Sequence, residues 1–246
     1  MARRKPIVTL TTDFGLADHY VAAVKSRILQ HCPEATLVDV SHAIPQFDIV
    51  AAAFLIERAL SEFPAGTIHL AVVDPGVGTS RRMIVAKIHG QMLVCPDNGL
   101  VTLAWTRLRL GKAFEIAWRP RAHSATFHGR DIMGPVAAKL AAGAKVASLA
   151  KPIDEPVLLK IPAGTIIYID HYGNATTNIE SAAIKRGASV RVGRTNLGGL
   201  GKTYGDVRPG TPLALIGSSG LLEIAVREGS AAKKLHLKIG DRVIIQ

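Results

Sequence analysis

At 246 residues the chain is long enough for one large domain or two modest ones, and 48% apolar against 20% charged residues excludes global disorder. Its net charge of +11 is spread evenly, 18 basic against 13 acidic residues over 1–155 and 12 against 6 over 156–246. Nucleic-acid binders gather such charge on one face beside aromatics, which are only 5% here, so no specific nucleic-acid partner is expected, only weak attraction to polyanions.

In chain order, strand Ile7–Thr12 is followed by helix Ala17–His31, strand Ala35–Val40 and helix Asp48–Phe63. Strands Thr67–Val73, Met83–Ile88 and Gln91–Cys95 come next, then helix Gly99–Arg109, strand Ala113–Trp118 and helix Asp131–Ala142. Ile49, Ala52, Ala53, Ile56 and Leu60 fall on one face of the second helix. This β-α-β alternation predicts an α/β fold with a largely parallel sheet between helices. Lys87–Gln91 reads as the turn of a hairpin inserted into that sheet.

After Ala150 the texture changes. Pro152, Pro156 and Pro162 mark Lys151–Gly164 as a linker. Thr165–Asp170, Ser189–Val192, Pro212–Ile216 and Arg242–Ile245 are short apolar runs separated by glycine-rich turns, which predicts a small β-barrel or sandwich. Ser181–Arg186 and Leu221–Arg227 are read as short helices. The predicted organisation is an N-terminal α/β domain over 1–155 and a smaller C-terminal β-barrel-like domain over 163–246.

No apolar stretch approaches the ~18 residues of a membrane span. The apolar run behind the basic start ends at Asp13, too short for a signal peptide. Cys32 and Cys95 lie far apart with no C-x-x-C, which suggests neither a disulfide framework nor a zinc site. A soluble, cytoplasmic protein without a membrane partner is expected.

Ligands of open parallel sheets bind beyond the carboxyl ends of the strands. Asp13, Asp74 and Asp97 all follow predicted strands, although Asp74-Pro-Gly76 and Asp97-Asn-Gly99 are also ordinary turn sequences. Asp13 is placed to accept hydrogen bonds from a ribose diol. Asp74-Pro-Gly-Val-Gly-Thr-Ser-Arg81 joins a carboxylate, two glycines and an arginine, and Thr126-Phe-His-Gly-Arg-Asp131 puts His128 at a helix start. Asp, Arg and His can together position and polarise a water. Asp170-His-Tyr-Gly-Asn-Ala-Thr-Thr-Asn178 reads as one long polar turn, which can also serve only to satisfy its own backbone. Gly201-Lys202-Thr203 is not a phosphate-binding loop, since Asn196 stands where the earlier glycine is required. No metal-ligand spacing is found, and no metal is proposed.

Thr11-Thr-Asp-Phe-Gly15, Asp74-Pro-Gly-Val-Gly78, Asp97-Asn-Gly-Leu100, Phe127-His-Gly-Arg-Asp131 and Tyr172-Gly-Asn-Ala-Thr-Thr-Asn-Ile179 occur in that order. Together they resemble the S-adenosyl-L-methionine (SAM) hydroxide adenosyltransferases, the SAM hydrolases related to fluorinase and chlorinase. The resemblance implies cleavage of SAM by water at C5′ to adenosine and L-methionine, with SAM as substrate and no cofactor. It also implies a homotrimer with sites between subunits.

The family's catalytic Asp-Arg-His set falls on Asp74, Arg81 and His128, with Arg82 leaving the arginine assignment open. Its adenosine-binding carboxylate falls on Asp13, and Phe47 takes the place of an aromatic lining the ribose pocket. Asp170 and Asn174 are implied to contact either the methionine end or the adenosine. Ser218 and Ser219 fall where the halogenases carry Ser-Arg for the methionine carboxylate, so that contact lacks its arginine. Asp74 stands where the halogenases carry tyrosine, and Gly129 where fluorinase carries a serine. An ionised Asp74 is expected to repel halide, by several kcal/mol in order of magnitude if poorly screened. Whether His128 is a base or only fixes the water stays open. So do three other readings: a binding module without turnover, a halogenase of the same fold, and a basic RNA-associated protein.

Overall fold

The computed structural model describes residues 5–108 and 111–246, and these form two compact units, one ending at Leu159 and the other spanning Lys160–Gln246. In the first, seven strands form one sheet: β1 (Ile7–Thr12), β2 (Thr36–Ser41), β3 (Ile68–Val72), β4 (Met83–Ile88), β5 (Gln91–Pro96), β6 (Lys112–Ile116) and β7 (Ala150–Ile153). Their order is β2-β1-β3-β5-β4-β6-β7. β2, β1, β3 and β5 pair in parallel, and the remaining pairings are antiparallel, so five of the seven strands share one direction. The chain leaves β1 for β2 on one side and returns to β3 on the other. The loops after β1 and β3 therefore diverge and open a crevice at their carboxyl ends.

Helices α1 (Tyr20–His31), α2 (Ile49–Glu62), α3 (Thr102–Leu108) and α4 (Gly134–Ala141) flank this sheet. Val24 and Ile28 of α1 and Val136 and Leu140 of α4 bury with Val8, Leu70 and Val85 in one core. α2 packs on β1 and β3 and against α3. It starts where Asp48 accepts a hydrogen bond from Ala51 N–H (2.9 Å), a cap worth about 1 kcal/mol. α1 starts three residues later than predicted. Arg109, the last residue of the predicted third helix, lies outside the described residues. None of the described helices is long and apolar enough to cross a membrane.

The predicted hairpin is present. Ile88 pairs with Gln91 across His89 (φ 49°) and Gly90 (φ 72°), the two positive φ values of a tight turn between twisted strands. The predicted linker is not free. Its first residues form edge strand β7, where Pro152 is tolerated because an edge strand can lack one donor. Beyond it, Val157 N–H donates to Asp97 Oδ1 (2.7 Å) and Leu159 N–H to Thr102 Oγ1 (2.9 Å), pinning the segment to the first unit.

The second unit has two sheets. One orders β12 (Leu200–Gly201), β13 (Pro212–Ile216), β14 (Leu221–Val226), β9 (Ala175–Glu180) and β8 (Ile166–Ile169). The other orders β11 (Thr195–Gly198), β10 (Val190–Val192) and β15 (Val243–Ile245). Ile166, Val190, Ala214, Ile224 and Val243 from both share one core, and a bridge from Thr165 to Arg242 links them, giving a barrel-like shape. α5 (Ala231–Leu235) follows β14.

Two expectations are corrected here. Leu221–Val226 is a central strand, not a helix. Buried on both faces between β13 and β9, it shows no alternation, and a short apolar run carries no period of its own. Ser181–Arg186 contains only a single 3-10 turn, Ser181–Ala183.

Candidate functional site

A cavity of about 410 Å³ opens at the carboxyl ends of β1 and β3, within the size range of small-molecule sites. Asp13, Phe14 and Asp18 line it from the loop after β1, and Gln46 and Phe47 from the loop before α2. Asp74 and Val77 follow β3, and Thr126 to Gly129 approach from the loop before α4.

Asp74 and Arg81 are ends of one tight loop. Thr79 Oγ1 donates to Gly76 carbonyl (2.7 Å) and accepts from Arg81 N–H (3.3 Å), which folds the arginine back on the aspartate. Gly78 has φ 81°, and a Cβ there would lie 2.8 Å from the Ala125 carbonyl oxygen. Arg81 Nε donates to Asp74 Oδ1 (2.7 Å) and Nη2 to Oδ2, a bidentate pair with side chains only 10% and 6% exposed. The same Nη2 donates to His128 Nδ1 (3.1 Å). With Nδ1 filled as an acceptor, the neutral imidazole carries its proton on Nε2. Burial and then the Arg81 charge push His128 below the usual histidine range, so it is neutral near pH 7.

His128 reaches this place through irregular helix geometry. Gly129–Met133 form a π-helical turn, closed by Gly134 N–H to Gly129 carbonyl, before α4 begins. Pro135 has no N–H with which to continue an α-helical ladder backward. A Cβ on Gly129 would sit 3.2 Å from Val72 Cγ1, so a larger residue would press this turn away from the end of β3 by a few tenths of an ångström.

Asp13 Oδ2 accepts from Phe47 N–H (3.0 Å), tying the two loops of the opposite wall. Phe47 holds φ 64° and is 63% exposed, a left-handed backbone uncommon outside glycine. Such strain concentrates at functional sites.

The third strand-end carboxylate behaves differently. Asp97 accepts from Arg82 Nε (2.7 Å) and from Val157 N–H, and its side chain is fully buried. It is a structural clamp outside the cavity wall, and the two arginines part here, Arg81 facing Asp74 and Arg82 facing Asp97. Asp18 was missed by sequence reasoning. Its only signal is a second carboxylate five residues after Asp13.

In the second unit, a cavity of about 500 Å³ is lined by Asp170, Tyr172, Asn174, Tyr204 and Val226 to Gly229. The predicted nine-residue turn is shorter, Asp170 to Asn174, since Ala175–Glu180 is β9. Asn174 N–H and Nδ2 both donate to the Asp170 carboxylate (2.8 and 3.1 Å), which aims the amide. Gly173 is required, because a Cβ would overlap Ser230 Oγ. Tyr204 O–H donates to Glu223 Oε1 (2.7 Å), and burial raises the Glu223 carboxyl above its ordinary range. Ser218 and Ser219 sit in the Gly217–Gly220 turn between β13 and β14, and neither lines this cavity.

The α/β unit thus holds a carboxylate-lined crevice at a strand-order reversal, and the barrel-like unit holds an aromatic and amide cavity of its own. Residues 8–150 match the model of the SAM hydroxide adenosyltransferase N-terminal domain, and residues 164–244 that of its C-terminal domain. The chain belongs to the SAM hydroxide adenosyltransferase family. It is 40% identical over 255 residues to the (R)-S-adenosyl-L-methionine hydrolase of Thermus thermophilus, covering 96% of this chain and 97% of that one. Similarity to the fluorinase of Nocardia brasiliensis is lower, 25% over 295 residues, covering 99% of this chain and 97% of that one. The crystal structure of an uncharacterized conserved protein from Thermotoga maritima superposes with a TM-score of 0.91 at 36% identity, covering 98% of this chain and all of that one.

Proposed function

We propose that this protein hydrolyses SAM, water attacking C5′ to give adenosine and L-methionine. The observation that carries the reading is Arg81 bridging Asp74 and His128 at the wall of the first cavity, in a chain of this family.

The sulfonium makes methionine a good leaving group, so no acid is needed to protonate it. The demand falls on the nucleophile, because water has a pKa of about 15.7 and must be held in line with C5′. In the proposed mechanism, His128 donates its Nε2–H to the water oxygen. Asp74 uses its remaining lone pairs to accept a hydrogen bond from the same water. As the C5′–O bond forms and the C5′–S bond breaks, the electron pair goes to sulfur and the water's proton leaves by way of Asp74 to solvent. Arg81 holds both partners in register and stabilises hydroxide-like charge. The donor role of His128 follows from its Nδ1 already accepting from Arg81.

Asp13 is proposed to accept from the ribose diol, with Phe47 beside it. Asp18 adds negative charge suited to a cationic substrate. Asp170 and Asn174 are proposed to face the adenine or the methionine end, with Tyr172 and Tyr204 offering flat surfaces on which a purine can stack. Ser218 and Ser219 are weaker candidates for the methionine carboxylate. No cofactor enters the reaction, since SAM carries its own leaving group. A homotrimer with sites between subunits is part of the proposal. Its support is the exposure of Leu16 and Phe47 near one cavity and Tyr172 at the other. A cytoplasmic location is also proposed, in keeping with two free cysteines.

Incubation with SAM in heavy-oxygen water should place the label on the adenosine 5′-hydroxyl. Unlabelled adenosine, or SAM bound but unchanged, would overturn the reading, the second outcome in favour of a binding module.

A further inference from the structure

A chain of polar contacts runs behind the cavity wall from buried Thr12 and His42 to exposed Asp39 and half-buried Lys25, residues that take no part in the proposed chemistry. Thr12, the last residue of β1, has its Oγ1 2.8 Å from His42 Nδ1, and His42 Nε2 lies 3.0 Å from Asp39 Oδ1. Asp39 in turn accepts from Lys25 Nζ (2.6 Å), a residue of α1. Asp39 can only accept here, because burial raises its carboxyl less than Lys25 and His42 lower it, and it is ionised. The ring of His42 meets the Thr12 hydroxyl through Nδ1, with its other nitrogen beside Asp39. The Thr12 oxygen then keeps lone pairs for Phe14 N–H, which donates to it at 3.3 Å. The His42 backbone closes the link, its carbonyl accepting from Gly15 N–H at 2.8 Å.

His42 thus grips the loop after β1 at both ends, by side chain at Thr12 and by main chain at Gly15. It also begins the loop that leads to Gln46 and Phe47. Asp13 lies inside the gripped turn, and its carboxylate meets Phe47 N–H from the second loop. His42 is 6% exposed and Thr12 is 1% exposed, so neither meets a ligand directly.

We propose that His42 is a positioning residue for nucleoside binding, acting through Thr12 to hold Asp13 against Phe47 in the geometry that receives a ribose diol. The proposal deepens the SAM-hydrolase reading and rests on it for the identity of the ligand. The imidazole of His42 sits between the loops that follow β1 and β2, and without it only the Gly15-to-His42 backbone bond and the Phe47-to-Asp13 bond hold them together.

The test uses the full-length protein with adenosine as probe, titrated by calorimetry, alongside SAM turnover. His42→Ala should weaken adenosine binding and raise KM for SAM about tenfold, with kcat within about threefold of the unmodified enzyme. His42→Asn, which can still present an acceptor to Thr12, should recover most of the affinity. Thr12→Val should match His42→Ala, and the double variant should be no worse than either alone, because both break one link. Amide exchange at Phe47 should speed up in His42→Ala, a readout that needs no ligand. Equal losses of kcat and KM, no recovery in His42→Asn, or unchanged Phe47 exchange would overturn the proposal. Failure of the unmodified protein to cleave SAM would instead overturn the functional reading, leaving adenosine affinity and Phe47 exchange to judge His42.

Discussion

Arg81 Nη2 donates to His128 Nδ1 at 3.1 Å while the same guanidinium grips Asp74 through two hydrogen bonds. One cation therefore orients both neighbours: a histidine with its proton on Nε2, and a carboxylate held by an opposite charge. The catalytic proposal follows from that pattern.

If His128 acts as a donor, side-chain shape should matter more than basicity. His128→Ala should lower kcat roughly 100- to 10,000-fold with KM changed only a few-fold. His128→Gln, whose amide N–H can reach the place of Nε2, should retain at least tenfold more activity than the alanine variant. Steady-state kinetics on both checks this, and equal inactivity would point to a general base. Arg81→Ala should be as damaging as His128→Ala, because it releases both partners.

The pH dependence has a defined sign. His128 titrates below its ordinary value of 6.5, first through burial and then through Arg81 and His123. The neutral form is the one whose Nδ1 can accept from Arg81. Activity at pH 7 should persist down through pH 6.5 and be lost only as pH falls through the lowered pKa. A kcat profile measured from pH 4.5 to 8 tests this, and an acid limb centred above 6.5 would contradict it.

Halide should not replace water. The sequence suggested repulsion by an ionised Asp74, but the bidentate Arg81 cancels most of that charge. What remains is hydrogen-bond polarity: Asp74 presents acceptors, and halide has no hydrogen to donate to them. High chloride or fluoride should yield no 5′-halo-5′-deoxyadenosine above background while adenosine still forms, as read by chromatography.

Asp13→Ala should weaken SAM binding at least as much as it slows turnover, because its carboxylate is assigned to the ribose. If sites form between subunits of a trimer, mixing Asp13→Ala with Asn174→Ala chains should restore partial activity absent from either alone. A fully active monomer by light scattering would remove the shared-site proposal.

Local signals were legible in the residues. The His89-Gly90 turn joins strands adjacent in sequence, so its pairing needed no distant information. The strand-end positions of Asp13 and Asp74 likewise followed from strand boundaries alone. β14 was misread because burial on both faces erased the alternation that marks a half-exposed strand. The Ser218-Ser219 assignment rests on motif position, and the two serines occupy the turn of the β13–β14 hairpin, away from the second cavity wall.

The sequence by itself determined the alternation of elements, the family to which the chain belongs, and the residue types available to the site. Periodicity and turn chemistry act over a few residues, and the chain order of motifs survives without a structure. Tertiary structure decided the partnerships: Arg81 with Asp74 and Arg82 with Asp97, although the two arginines are neighbours in the chain. It also decided that His42 braces a wall in which no motif had placed it. Successive residues of an extended segment point to opposite sides, so adjacent identical side chains reach different partners. Which partner stands there depends on how the loop after β3 folds back and how β4 pairs with β5, over 7 residues for Arg81 and 15 for Arg82, while the Thr12–His42 contact spans 30 that no local pattern records.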